Sequence, residues 1–157
     1  MTSRIRLFNR TGTLIYEVGA QSFREWILND IAACGVDAET VRHGQPALVT
    51  ELMVAYAYDT IARGNPVGFF GMVHVLEGTS IQLATHAAGA LQHSLGLPKQ
   101  AFTYLNSHGS LDLEHVDFFC GLVNRLHCEQ DKACLVHCAK VMFRLYGDIF
   151  RSLETVQ

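Results

Sequence analysis

From Ser22 onward the chain carries helix punctuation and little else, and this limits its fold more than any other feature. Ser22 and Glu25 form an S-x-x-E capping box, and the pattern predicts a helix to Cys34, stopped by Gly35. Asp37 caps a short helical turn through about Arg42. Pro46 suits the first turn of a helix that continues to about Arg63, with Gly64 beyond it. Asn65-Pro66 opens a long apolar helix over about 66–95, closed by Gly96. Pro98 starts a shorter helix toward His108, another covers about 110–127, and Asp131 caps the last, which ends near Ser152. The three prolines each fall at a predicted helix start, and no repeat or linker interrupts the series. Only residues 4–18 differ. There IRLF and TLIYEV flank a turn ending in Gly12 and predict a small β-hairpin. The expected fold is therefore all-α, one domain over 1–157, with a helical bundle at about 22–152 and a hairpin appended.

Composition excludes several classes of function. The 157 residues are 49% hydrophobic and 17% charged, too apolar for a disordered chain. Twelve Lys and Arg against fifteen Asp and Glu leave a net charge of −3, with no basic surplus for phosphates, so no nucleic-acid partner is expected. The longest strongly apolar stretch, Val67 to Leu76, is too short to span a bilayer, so no membrane partner is expected either. No apolar run with a cleavage site follows the first residues, which predicts a cytoplasmic protein. Five cysteines, an odd number, are read as free thiols.

The segment richest in chemistry is Ser107 to His115, SHGSLDLEH. His108, Asp112 and His115 stand at i, i+4 and i+7, so on a helix they project from one face. Two imidazoles and a carboxylate with open positions suit a divalent transition metal, non-heme Fe(II) in particular. Gly109 weakens the helix and predicts a kink there. The plainer reading makes Asp112 and His115 first-turn polar residues and His108 a C-terminal cap. Glu77 shifts the balance. It lies inside the apolar helix, in VHVLEGTS, where a lone carboxylate costs several kcal/mol unless it is paired, protonated or metal-bound. Glu77 with His108, Asp112 and His115 would make four ligands, the way bundles build iron sites from facing helices. His74, three residues before Glu77, shares its face as a fifth ligand or a partner behind the first shell. Val73, Leu76, Leu111 and Phe118 are expected to line the site, and Glu114 to face away.

These segments, with NPVGFFGMVHVLEG (Asn65 to Gly78) and LGLP (Leu95 to Pro98), resemble the heme-oxygenase-like iron-containing redox enzymes, related in fold to the TenA thiaminases and the PQQ-synthesis oxidase. The resemblance covers about residues 22–150. It implies a heme-oxygenase-like bundle with iron ligands at Glu77, His108, Asp112 and His115. In that family an earlier helix donates a Glu and a His that complete a di-iron site. REWILND (Arg24 to Asp30) resembles the sequence just after those ligands, but Phe23 stands where the His is expected, and Glu17 is the only carboxylate nearby. By this comparison the chain is shortened at its N-terminus and holds one or two Fe(II) ions, borrows ligands from another protomer, or is a degenerate scaffold without metal.

Other candidates have plainer readings. Glu51, on the Pro46 helix, is a substitute ligand or a solvated carboxylate. Tyr56, Tyr58 and Tyr104 are expected in the core, and His86 and His93 at the surface or satisfied in the core. His127-Cys128 and Cys134-x2-His137-Cys138 suggest zinc, but no C-x2-C pair is present and the cysteines are read as small hydrophobes. A thiaminase-like hydrolase would need a nucleophilic cysteine, for which Cys120 is nearest in sequence. The expectation is an iron-dependent oxidase or oxygenase using dioxygen on a small organic substrate. The alternative is a non-catalytic interaction or regulatory protein on the same scaffold. A homodimer is expected, with exposed apolar faces paired across a two-fold axis.

Overall fold

The computed structural model describes residues 6–8, 14–17 and 23–153; the side chains of residues 6–8, 14–17, 23–24, 82 and 108–115 are outside this description. Six helices dominate it: α1 (Phe23–Ala33), α2 (Ala38–His43), α3 (Leu48–Ala62), α4 (Phe69–Leu95), α5 (Thr103–Val123) and α6 (Glu129–Ser152). Short 3-10 turns at Pro66–Gly68 and Lys99–Phe102 lead into α4 and α5. Strands β1 (Arg6–Phe8) and β2 (Leu14–Glu17) pair antiparallel, with Arg6 opposite Glu17 and Leu7 opposite Tyr16. These short strands lie within the span expected over 4–18, and the turn between them lies outside the described residues. The six helices make the described structure all-α in character. Among the described residues no helix is long and apolar enough to cross a membrane.

The chain forms two compact units. One comprises Met1–Gly44 with Ala87–Ser107, the other Gln45–His86 with His108–Gln157. In the second unit the core is Val75, Cys138 and Met142, with Met53, Tyr56, Ala57, Met72, Ala139 and Tyr146 packed around them. Leu135, Cys138 and Met142 recur at i, i+3 and i+7, which makes one buried stripe along α6. Gly71 permits the close approach of α4 to that stripe. A Cβ there would stand 2.5 Å from the Ala139 nitrogen and 2.5 Å from the Leu135 oxygen. Asn65 ties the entry to α4 to α6. Its side-chain oxygen accepts from the Val67 N–H at 3.1 Å, and its amide donates to Asp131 Oδ1 at 2.7 Å. Asp131 is thus engaged across the unit, and the position capping α6 is Cys128, without a side-chain hydrogen bond.

In the first unit Ala88, Ala101 and Phe102 form a core with Ala33, Leu97 and Leu105 against it. Asp37 caps α2 as expected, accepting from the N–H groups of Glu39 and Thr40, both at 3.2 Å. These bonds hold its carboxyl below the usual carboxylate range, the Thr40 hydroxyl contributing most. Arg42 donates to Glu25 at 3.0 Å and to Glu39 at 2.9 Å, so α2 is pinned to α1. Ser22 of the expected capping box lies outside the described residues.

Two helix expectations are corrected. Pro46 does not open α3, which begins at Leu48; Ala47 is extended and takes the N-cap position, so the proline lies just outside the helix. Where two helices were expected, to His108 and from 110, one helix runs unbroken over Thr103–Val123. One interior glycine, Gly109, costs only about 1 kcal/mol, less than the neighbouring turns supply. The stop signal at Gly96 acts as expected, its φ of +63° lying in the left-handed region that ends helices.

Candidate metal centre

Helix α4 has two working faces in the second unit. Met72, Val75 and Thr79 turn toward α3 and α6. Tyr146 of α6 packs there and hydrogen-bonds Thr79, which itself donates to the Val75 carbonyl at 2.6 Å. Burial pushes the Tyr146 phenol above its ordinary range. The other face meets α5. Phe70 and Phe119 make an edge-to-face pair at 6.0 Å, and His74 stacks on Phe119 at 5.7 Å with 21° between the planes. Phe119 is buried, so this contact fixes which sides of α4 and α5 face each other.

Helical periodicity extends those sides to the candidate ligands. Phe70, His74 and Glu77 stand at i, i+4 and i+7, one stripe of α4. On α5 the positions of His115, Asp112 and His108 precede Phe119 by four, seven and eleven residues, all within about 40° of it around the axis. The unbroken course of α5 keeps that alignment. Residues 96–102 join α4 to α5, and so short a connection makes the neighbours antiparallel. Glu77 lies about 4.5 Å along its axis from His74, and position 115 about 6 Å along its own from Phe119, so the two are nearly level. Glu77 is half-buried and is not without a partner. His74 is exposed at one edge and held by its stack on Phe119.

The other candidates fall elsewhere. Glu51 is exposed in the first turn of α3, and Glu17 lies in β2, in the first unit. Val73 and Leu76 are half-buried beside the stripe, but Phe118, expected in the lining, is 60% exposed. Its neighbour Phe119 takes the buried place, since one residue along a helix turns the side chain by about 100°. Phe70 and Phe119 are the residues that sequence reasoning missed; the signal was Phe119 standing four residues after His115. Tyr58 is 70% exposed and leaves the expected core, whereas Tyr56 is packed in it. His86 and His93 are exposed.

Among the described side chains no group of three or more His, Cys, Asp and Glu could hold a metal, those of 127–138 included. Cys138 is buried and its thiol is pushed up by that burial, while His137 is exposed. The cysteines of this stretch are small core and surface residues. Cys120 is exposed.

The donor chemistry of the two stripes, carboxylate on one helix and His, Asp and His on the other, fits a ferrous ion. A profile of the iron-containing redox enzymes matches residues 13–147. No curated protein and no solved structure is matched by the chain. The matched span takes in α1 to α5 and most of α6, with both stripes inside it, and the chain belongs to the heme-oxygenase-like family of iron-containing redox enzymes.

Proposed function

We propose that the protein is a non-heme iron-dependent oxidase or oxygenase that uses dioxygen on a small organic substrate. Glu77, His108, Asp112 and His115 hold the Fe(II). The observation that supports this reading is the Phe119 contact with Phe70 and His74, since by helical periodicity Glu77 shares the stripe of Phe70 and His74, and positions 108, 112 and 115 share the side of Phe119. Membership of an iron-containing redox family supports the same kind of chemistry.

Two carboxylates offset the double charge of Fe(II), and two neutral imidazoles complete the set without adding charge. Bound there, iron supplies one-electron redox chemistry and open positions for dioxygen. The chain's own residues do the rest. Phe70 and Phe119 exclude water from one end of the stripes. The stack on Phe119 orients His74 next to Glu77, as a further ligand or as a hydrogen-bond partner.

Iron analysis of protein made in iron-supplemented medium, followed by oxygen uptake, tests this reading. Near-stoichiometric iron that is lost in both Glu77→Ala and His108→Ala is the expected result. Metal-free wild-type protein, with stability unaltered in both variants, would establish the scaffold reading instead.

A further inference from the structure

In the first unit, α1, the turn at Lys99–Phe102 and the start of α5 border a groove of about 450 Å³, lined by Trp26, Asn29, Asp30, Gln100, Thr103 and Ser107. Small-molecule sites commonly measure about 300–1,000 Å³. The hydrogen-bonding groups of this one are biased toward acceptors. Asp30 is buried, and each of its carboxylate oxygens accepts one bond, from the Thr103 hydroxyl and from the Tyr104 N–H at 2.8 Å. A carboxylate has room for further donors beyond these two. The Thr103 hydroxyl spends its one proton on Asp30, and the Ser107 hydroxyl spends its own on the Tyr104 carbonyl at 2.8 Å, so neither is left to donate. Donors remain on the Trp26 indole and on the side-chain amides of Asn29 and Gln100, both of which are exposed.

Charge points the same way. Asp30 is the one charged residue of the lining among the described residues, and both of its partners are neutral. The N-terminal end of α5 carries only about half a positive charge, so the full charge of the carboxylate outweighs it. Trp26 and Asp30 stand at i and i+4 on α1, on one face, and the indole ring offers a second group that attracts a cation.

We propose that this groove binds a small organic amine in its ammonium form. The ammonium donates to Asp30 and to the Thr103 oxygen, and its carbon chain lies on Trp26. An alcohol of the same shape brings one donor where an ammonium brings three, and an anion would meet the Asp30 charge with no cation in the described lining to offset it.

Trp26 is the only tryptophan of the chain, so its fluorescence reads this groove directly. The test is titration of the full chain with n-butylammonium, n-butanol and butanoate at constant ionic strength, followed by calorimetry on the variants. n-Butylammonium should change the emission saturably in the millimolar range, and the alcohol and the carboxylate should each bind at least about tenfold more weakly. Asp30→Asn removes the charge and keeps an acceptor oxygen; Asn29→Lys, at an exposed position, adds a competing cation. Each should weaken n-butylammonium by about tenfold or more, with unchanged helical circular dichroism. Should Asp30→Asn fail to fold, Asn29→Lys decides the matter alone. No saturable change up to about 0.1 M n-butylammonium overturns the proposal. So does n-butanol or butanoate binding as tightly, or an ammonium affinity that Asn29→Lys leaves unaltered.

Discussion

Asp30 shows how much a single buried carboxylate can organise. It is 8% exposed, and both of its oxygens are used at the start of α5. One accepts from the Thr103 hydroxyl, the other from the Tyr104 N–H at 2.8 Å. A side chain of α1 therefore caps a helix more than seventy residues away in sequence. Asp30→Ala leaves two donors without their acceptor and removes the cap. Urea denaturation should show a loss of about 2 kcal/mol, with Asp30→Asn losing less because its amide keeps one acceptor oxygen. Met142, fully buried between α3, α4 and α6, should cost about 2–5 kcal/mol as Met142→Ala in the same measurement. Asp30 carried no signal in the sequence. An aspartate late in a helix reads as a surface residue, and only the tertiary fold supplies its donors.

At the scale of elements, the contrast between two glycines of α4 tests where the helix is wedged. Gly71 faces the backbone of α6, so Gly71→Ala requires α4 or α6 to shift and should cost about 3 kcal/mol or more. Gly89 is exposed with nothing near its Cβ position, and Gly89→Ala should gain about 0.5–1 kcal/mol. Thermal melts of the pair check both signs. The helices themselves were largely legible in the sequence, because Gly35, Gly96 and Asp37 act locally and do there what such residues do anywhere. The junction at 108–110 was not. Gly109 weakens helix propensity, but the turns on both sides of it are helical and carry the backbone through. The cap of α6 was misread for a related reason: Asp131 has a better partner in Asn65, which comes from another part of the chain. The i, i+4, i+7 spacing of His108, Asp112 and His115 is legible in the sequence, and the helix that carries it, Thr103–Val123, is present. The side of α5 that meets α4 was not, because Phe118 and Phe119 are equally apolar and only packing chooses between them.

For the molecule as a whole, the proposal is that α4 and α5 hold iron between them. Metal that binds only the folded chain stabilises it by mass action. Chelation followed by anaerobic addition of Fe(II) should therefore raise the melting temperature of the wild-type chain and leave that of His108→Ala unchanged. The most direct measurement is anomalous diffraction at the iron edge from crystals grown with Fe(II). The account predicts a peak enclosed by Glu77, His108, Asp112 and His115, on the side of α4 that bears His74. A peak elsewhere, or iron-replete crystals with no peak among these four side chains, would contradict it.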